Sequence, residues 1–442
     1  MPASVSEQLH ALLKRAAKVA DEAEVFYSSS QDTPVKLEAN RLKMLESEES
    51  TGASLRLIVK GRLGFAATFR SGGFSSLLES ALETAPFGAE ARFHLPGPAK
   101  AQTVEVYDPA VERVTVEEMV ELGQGAIDQV RRDWPEVQCD GGVSRGVARV
   151  RILNSAGLDV EYRKSYLALG LEGTLIRGTD MLFVGDSTIS CRADKDASKV
   201  VRRTLEQLEL AREVVPAPTG ELPVIFTPHG VAGTLLGPLF SAFNGKTVLQ
   251  GASPLGKKLG QRVFDARLSI SDEPHLAWRP GARPFDGEGV PTRRLALVDH
   301  GVVGTFLYDL QTAGQAGTQS TGSASRGVGS LPAPSTSTLV FSTGEATFEE
   351  MVADIKDGLV VEQLIGAGQG NILGGDFSGN VLLGFRVQNG KLVGRVKDTM
   401  IAGNVYRVLE ALAGIGKEAQ WVGGGLCVPH LYAPKVSIAS KG

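Results

Sequence analysis

The 442-residue sequence predicts an α+β protein, with an N-terminal region of helix-plus-antiparallel-sheet units followed by a β-rich C-terminal domain. Three observations lead to this fold class. Helix-capping signals and short apolar segments alternate up to about residue 215. The chain contains 53 glycines, many of them after residue 220, and glycine suits tight connections between strands. The length is sufficient for two or three domains with sizeable cores.

Residues 1–110 are predicted to form the first α+β unit. Ser4 and Glu7 make a capping box, and apolar residues follow it at helical spacing. Lys60 and Gly61 lie between two apolar runs and indicate a hairpin turn. The predicted elements are a helix to about residue 20, a strand over 23–29, a hairpin over 50–68, a helix over 74–85 and an extended connector over 86–110.

Residues 111–218 are predicted to form a second unit with the same plan. Thr115 and Glu118 make another capping box, and the helix that they begin runs toward Trp134, which precedes a proline. A structural duplication would explain the shared plan, although no sequence identity at a fixed period supports it. The other predicted elements are strands over 148–153, 158–163 and 166–176 and a helix over 194–212.

Residues 219–442 are predicted to form the β-rich C-terminal domain. An apolar strand over 222–226 leads into a helix over 228–243, and glycine turns separate short strands in most of the remainder. Composition alone favours a disordered linker over 314–337. The other predicted features are a surface loop over 279–292 and helices over 347–356 and 402–413.

Composition and charge exclude several classes of protein. The net charge of −4 and the pI near 6.0 leave no basic footprint for nucleic acid. No run of 18 apolar residues exists, so the sequence predicts no membrane span, and the N-terminus resembles an amphipathic helix more than a signal peptide. Three widely spaced cysteines are typical of a reducing compartment, and we therefore expect a cytoplasmic protein.

Two segments carry a resemblance to a known family. Residues 368–404 read GQGNILGGDFSGNVLLGFRVQNGKLVGRVKDTMIAGN, and residues 308–313 read YDLQTA, followed by Gly317 and by STG at 320–322. Both resemble the C-terminal signature of the TldD/PmbA family of peptidase subunits. The resemblance is strong over residues 300–416 and weak over residues 1–215. It implies that residues 314–337 lie inside the C-terminal domain and line an interior groove.

The two branches of that family differ in one motif. The TldD branch carries His-Glu-x-x-x-His on a helix and binds zinc, whereas the PmbA branch, also named TldE, lacks it. No histidine in this chain is followed by glutamate, so the chain resembles the PmbA/TldE branch. His229 lies where the zinc motif would begin, but Gly230 takes the place of the glutamate and Thr234 that of the second histidine. Without the second ligand and the general base, we expect no zinc site here.

For the other candidate sites, a structural role explains the residues better than a functional role does. Cys427 and His430 lie near the C-terminal cysteine of the zinc branch but have no further ligands, so we interpret them as a buried strand cysteine and a surface histidine. The segment from Gly251 to Lys257 has the spacing of a phosphate-binding loop, but Lys258 replaces the hydroxyl that would bind magnesium. We interpret that segment as a structural loop.

No serine-protease elbow occurs in the sequence. Asp299 and His300 are adjacent, which puts their side chains on opposite faces of a strand, and a hairpin turn explains them better. The resemblance places the substrate groove at Asp376, Phe377, Ser378 and Gly379.

The resemblance therefore implies a non-catalytic subunit of a heteromeric zinc metallopeptidase that acts on unfolded peptides or leader peptides. Zinc is expected only in the partner, which is a TldD-like zinc subunit in a heterodimer, and self-association to a homodimer stays open. Two alternatives also remain: a standalone homodimeric peptidase with unrecognised catalytic residues, and a non-enzymatic peptide-binding or regulatory protein.

Overall fold

The computed structural model describes residues 4–70 and 72–440 and consists of two large sheets with helices packed against them. The predicted α+β class is confirmed. Within the described residues, no helix combines the length and the apolar character that crossing a membrane would require.

The N-terminal sheet is antiparallel throughout, with the strand order β4-β3-β1-β5-β6-β7 and with β2 paired to β1. Its elements and those packed on it are α1 (Val5–Ala16), β1 (Glu22–Glu38), β2 (Arg41–Leu45), β3 (Glu48–Val59), β4 (Arg62–Thr68), α2 (Ser76–Thr84), a 3₁₀ turn (Ala85–Phe87), α3 (Pro109–Arg113), α4 (Val116–Asp133), β5 (Gln138–Asn154), β6 (Asp159–Arg177), β7 (Asp180–Ser190) and α5 (Ser198–Leu210).

Two helix pairs lie on the same face of this sheet, at opposite ends of the long strand β1. Val25 and Tyr27 pack against α1 and α2, whereas Val35 and Leu37 pack against α4 and α5. These side chains share a face because successive strand residues alternate between faces. Strands from both predicted N-terminal units thus pair in one sheet, and the division of this region near residue 110 stays a prediction.

The C-terminal sheet has eleven strands in the order β11-β10-β9-β14-β20-β18-β16-β15-β8, with β17 on β16 and β19 on β20. The elements of this region are β8 (Gly220–Phe226), α6 (Pro228–Thr234), α7 (Leu236–Phe243), α8 (Gly245–Leu249), β9 (Ile270–Asp272), β10 (Leu295–Asp299), β11 (Val302–Val303), α9 (Leu310–Ala316), β12 (Ala324–Ser325), β13 (Ala333–Pro334), β14 (Leu339–Phe341), α10 (Phe348–Asp354), β15 (Asp357–Ile365), β16 (Asp376–Gln388), β17 (Lys391–Arg395), β18 (Thr399–Asn404), α11 (Val405–Glu410), β19 (Gly414–Val422) and β20 (Leu426–Ser440). Strands β12 and β13 pair with each other in a separate two-stranded sheet.

Five strands of this sheet close on themselves, because β8 pairs with β15 on one side and with β20 on the other. Phe226 and Phe377 meet edge to face, with ring centroids 6.1 Å apart, in the largest core cluster of the molecule. On the opposite face of the sheet, Ile225 and Val360 belong to a core cluster that also contains Val201 and Leu208 of α5. Helix α5 therefore joins the two sheets through shared apolar packing.

Most predicted elements are present, and the exceptions have local causes. The predicted strands over 158–163 and 166–176 are one strand, β6, because Ser165 is buried there and its hydroxyl donates to the Cys191 carbonyl oxygen at 2.7 Å. The predicted helix over 228–243 breaks after Thr234, since Pro238 has no N–H for the Thr234 carbonyl. Strand β7 was not predicted.

Two further predictions are wrong in part, and one interpretation from composition does not hold. Residues 402–404 of the predicted helix over 402–413 belong to β18, and Asn404 then caps α11 by accepting from the Tyr406 N–H at 3.1 Å. Residues 314–337 contain the end of α9 and strands β12 and β13, so they lie within the C-terminal domain, as the resemblance implies, and do not form the linker that composition alone favours. The segment 279–292 is not simply a surface loop, because Asp286 and Glu288 are buried in it.

Candidate functional site

The candidate site lies where β8 ends and α6 begins, at the junction of the two sheets. Thr227 caps the helix by accepting from the Gly230 N–H at 3.2 Å, and Pro228 occupies the first helical turn. This arrangement puts His229 in the first turn, at the helix start that the sequence predicts. The same helix contains His229, Gly230 and Thr234, the three positions that a zinc motif would occupy.

His229 contacts the N-terminal sheet directly. Its Nε2 atom lies 3.2 Å from Asp186 Oδ1, and the two side chains are 20% and 5% exposed. Asp186 belongs to β7, so this contact crosses the junction between the sheets. The imidazole is therefore oriented by a carboxylate, which is an arrangement common to structural and catalytic histidines.

The residues around His229 do not fit a hydrolytic zinc ion. A Cβ atom on the buried Gly230 would lie 2.3 Å from the carbonyl oxygen of Val361, so a glutamate there would require the backbone to move. Thr234 is 4% exposed, and its hydroxyl has no hydrogen-bond partner. Across residues 4–70 and 72–440, no three His, Cys, Asp or Glu side chains are grouped closely enough to hold a metal ion.

A cavity of about 400 Å³ adjoins His229 at the edge of β7. Two of its side chains, Glu172 and Asp186, are acidic, and none of the described lining residues is lysine or arginine. Gly185 has a φ of 156°, and a Cβ atom there would lie 2.3 Å from the Leu171 carbonyl oxygen, so only glycine fits. The cavity is lined by Gly141, Gly170, Leu171, Glu172, Gly173, Phe183, Val184, Gly185, Asp186, Ser187, His229, Gln363 and Leu382.

A network of hydrogen-bonded polar side chains lies beside this cavity and contacts Gly185 of its lining. Arg203 Nη2 donates to Glu362 Oε2 at 2.6 Å, and Gln207 Nε2 donates to Glu362 Oε1 at 3.2 Å. Gln207 also accepts from the Gly185 N–H at 2.7 Å and donates to the Gly185 carbonyl oxygen at 3.2 Å. This side chain therefore occupies both backbone groups of Gly185 at the free edge of β7.

Cys427 and His430 lie on β20, but the interpretation of His430 as a surface residue is wrong. Its ring packs on Phe348, with centroids 4.7 Å apart. Burial, together with the smaller influence of nearby Arg203, lowers the pKa of His430 to about 4. The ring is therefore neutral at neutral pH. Cys427 is half-buried, and burial raises the pKa of its thiol above the ordinary value.

The four residues predicted to form a substrate groove divide between two environments. Phe377 is 2% exposed in the core, and a Cβ atom on Gly379 would lie 2.8 Å from the Ile365 carbonyl oxygen. Asp376 and Ser378 are exposed, and Asp376 Oδ1 accepts from Asn404 Nδ2 at 2.8 Å. A cavity of about 560 Å³ includes Asp376 and shares no lining residue with the cavity at His229. The assignment to substrate stays a prediction.

The remaining candidates have structural explanations. The segment from Gly251 to Lys258 follows helix α8 and not a strand, and the Ser253 hydroxyl donates to the Ala242 carbonyl oxygen at 2.6 Å. His300, with a φ of 47°, forms the predicted hairpin turn between β10 and β11. In this turn, the left-handed conformation of His300 brings its Nδ1 atom within 2.8 Å of Asp299 Oδ1.

The fold and the cavity together define a class of protein: a two-sheet α+β chain with an interdomain cleft beside the start of a short helix. Residues 219–440 match the PmbA/TldA metallopeptidase C-terminal domain, and residues 23–85 match domain 1 of the same metallopeptidases. The chain belongs to the TldD/PmbA family, as its C-terminal motifs predict.

Full-length relatives and a solved structure agree with this membership. A metalloprotease of Methanothermobacter thermautotrophicus is 25% identical over 92% of this chain and 90% of its own length. Metalloprotease PmbA of Escherichia coli O157:H7 is 31% identical over 54% of this chain and 50% of its own length. The crystal structure of TldE from Thermococcus kodakarensis superposes with a TM-score of 0.89, at 25% identity, over 98% of this chain and 100% of that one.

Proposed function

We propose that this chain is a PmbA/TldE-like subunit without a hydrolytic centre of its own, acting within a heteromeric zinc metallopeptidase on unfolded peptides or leader peptides. The observation that carries the proposal is the contact of Gly230 with the Val361 carbonyl, which leaves no space for a general base beside His229. A zinc peptidase requires that carboxylate to activate the metal-bound water. In this proposal, zinc-dependent cleavage comes from a second polypeptide.

The environment of His229 supports the same conclusion. A catalytic zinc site needs three protein ligands and an open position. His229 supplies one imidazole, and its Nε2 atom is already in contact with Asp186. Thr234, at the position of the second ligand, offers only a hydroxyl. We therefore expect zinc to be bound by a TldD-like partner and not by this chain.

The proposed task of this subunit is to hold the peptide. Glycines at 141, 170, 173 and 185 line the cavity without side chains, and a site that holds the backbone of a peptide tolerates many side chains. Gln207 already occupies the backbone groups of Gly185. We therefore propose that a peptide lies across the glycine surface and does not add a strand at that position. Such a site accepts extended chains and rejects folded ones.

A metal analysis combined with a peptidase assay tests the proposal. The purified chain is expected to contain no stoichiometric zinc and to leave an unstructured peptide intact. A mixture with a TldD-type zinc subunit is expected to cleave the peptide and to lose that activity on chelation. Cleavage by this chain alone that survives chelation would contradict the proposal, and a mixture that binds the peptide without cleaving it would favour a regulatory role.

A standalone peptidase remains the second candidate because of one contact. A histidine oriented by a carboxylate is two-thirds of a nucleophilic triad, and His229 and Asp186 form such a pair. In the described part of the chain, no hydroxyl or thiol is hydrogen-bonded to His229. Chelator-resistant cleavage that disappears in a His229→Ala variant is the result that would establish this candidate.

A further inference from the structure

Three apolar side chains lie exposed together on the hairpin formed by β6 and β7. Ile176 is 60% exposed, Met181 50% and Phe183 37%. Ile176 pairs directly with Met181, and Phe183 pairs with Thr174 one step further along the same face. Directly paired residues share a face, as do residues two apart on one strand. We name Ile176, Met181 and Phe183 the hairpin strip.

The hairpin strip continues into the cavity at His229. Phe183 belongs to the strip and also lines the cavity, and Leu382 of β16 lines the same cavity from the C-terminal domain. Exposed contiguous apolar surface on a soluble protein commonly marks a binding site. A peptide with one side chain in the cavity would therefore have its neighbouring side chain beside the apolar hairpin strip.

The charge of the cavity selects that occupant further. Glu172 is exposed and Asp186 lies beside His229, and the described lining contains no basic side chain. The guanidinium of Arg203, which belongs to the polar network beside the cavity, already donates to the buried carboxylate of Glu362. A cationic group would thus complement the cavity, whereas an anionic one would meet two carboxylates at short range.

We propose that the cavity and the hairpin strip together bind a peptide segment in which an apolar side chain is adjacent to a cationic group. This inference rests on the proposed function and adds the substrate chemistry. The cationic group enters the cavity toward Glu172 and Asp186, and the apolar side chain packs on Met181 and Phe183. An arginine or lysine side chain and a free N-terminal ammonium offer the same charge, and both are tested.

Fluorescence anisotropy with the full chain and C-terminally labelled, unstructured peptides tests this site. One peptide is acetylated and contains an internal Leu-Arg pair, and two matched peptides replace the pair with Leu-Glu or Ser-Arg. A fourth peptide has an N-terminal leucine with a free ammonium and no arginine. The Leu-Arg peptide is expected to bind about tenfold more tightly than the Leu-Glu and Ser-Arg peptides. Tighter binding of the fourth peptide than of its acetylated form identifies the N-terminal ammonium as a ligand.

Two variants assign the preference to these residues. Glu172→Gln is expected to abolish the preference for arginine over glutamate while leaving the preference for leucine over serine. Met181→Ser is expected to abolish the preference for leucine over serine while leaving the preference for arginine over glutamate. Leu259→Ser changes a side chain that is 56% exposed elsewhere, and it is expected to bind all peptides like the unaltered chain. Circular dichroism and thermal melting verify that each variant is folded.

Equal affinity for all peptides, no measurable binding, or unchanged preferences in both variants would overturn the inference. Loss of assembly with a zinc subunit in Met181→Ser, with peptide affinity unchanged, would show that the strip is a subunit interface and would also overturn it. Because binding is measured without a zinc subunit, these outcomes are separate from those of the peptidase assay. Cleavage by the chain alone would end the proposed function and leave the binding preference standing.

Discussion

Two of the polar junctions between the sheets of this protein differ in their physical character. At the first, Arg56 of β3 donates to Glu24 of β1 at 3.0 Å and to Glu288 of the C-terminal domain at 2.6 Å. Arg326, also from the C-terminal domain, donates to the other oxygen of Glu24. We name these four side chains the charge cluster. None of them is more than 3% exposed.

The second junction is the cavity at His229. There the side chain of His229 is 20% exposed, a volume of about 400 Å³ is open, and glycines replace side chains along the wall. At the charge cluster, paired charged side chains fill the space between the sheets. At the cavity, side chains do not fill that space. We infer that the first junction holds the domains together and that the second is available to a ligand.

The largest expected effect comes from breaking the charge cluster. Arg56→Met removes the cation that lies between Glu24 and Glu288 and leaves buried carboxylates without that partner. Removing one partner of a buried ion pair costs about 3–5 kcal/mol. Denaturant unfolding should show a loss of this size. Arg149→Met, in a half-exposed pair with Glu161, is the control and should change the free energy of unfolding by less than about 1 kcal/mol. Equal effects of the two substitutions would refute the claim that the buried charge cluster stabilises the fold more than an exposed ion pair does.

The next effect concerns helix α6, which begins beside the cavity. Gly230→Ala places a Cβ atom 2.3 Å from the Val361 carbonyl oxygen, whereas a Cβ atom on Gly233 of the same helix meets no heavy atom within 4 Å. Overpacking of this kind costs about 1–3 kcal/mol, and Gly233→Ala should instead gain up to about 1 kcal/mol from helix propensity. Thermal unfolding of the pair measures the difference. Gly230→Ala that is as stable as Gly233→Ala would remove the steric argument against a general base at this position.

A smaller effect is expected from pH at the charge cluster. Burial raises the pKa of Glu288 to about 7, against the opposing influence of Arg56 and with support from Asp286 and Asp309. The folded state therefore binds the proton more tightly than the unfolded state does, and this stabilising contribution is lost as pH rises from about 4.5 to about 7. The free energy of unfolding should therefore be larger near pH 4.5 than above pH 7, by an amount on the order of 1 kcal/mol.

Glu288→Gln is the control for this pH dependence, because its amide keeps the size of the side chain and cannot titrate. Urea unfolding at several pH values between 4.5 and 8 should show a flatter profile for the variant than for the unaltered chain. Identical profiles for the two proteins would mean that the titration of Glu288 does not influence folding.

The smallest expected effect is on stability at the cavity. His229→Ala removes a partly exposed contact with Asp186, and contacts of this kind contribute less than about 1 kcal/mol. His300→Ala, at an exposed histidine that contacts Asp299, is the matched control and should behave similarly. A loss above about 2 kcal/mol in His229→Ala alone would show that the second junction also serves to hold the domains together.

The sequence predicts local features of this molecule well. The capping boxes at Ser4 and Thr115 begin helices as expected, because a cap depends on residues three positions apart. The missing zinc motif can also be read directly from His229, Gly230 and Thr234. The helix over 228–243 could have been divided correctly, since Pro238 identifies the break.

The junctions could not be predicted, since their members lie far apart in sequence. Asp186 is 43 residues from His229, and Glu362 is 159 residues from Arg203. No periodicity or spacing connects such pairs. The buried Glu288 lies in a segment rich in proline and glycine, where composition favours exposure, and its pairing with Arg56 and its hydrogen bond from the Leu310 N–H explain the burial.

The central claim is that hydrolysis depends on a different polypeptide. The most direct measurement combines this unaltered chain with a TldD-type subunit whose motif glutamate is replaced by glutamine, and follows cleavage of an unstructured peptide. We expect the two proteins still to associate and cleavage of the peptide to fall to the uncatalysed background. Cleavage at an undiminished rate would contradict the central claim, because the catalytic groups would then have to belong to the chain described above.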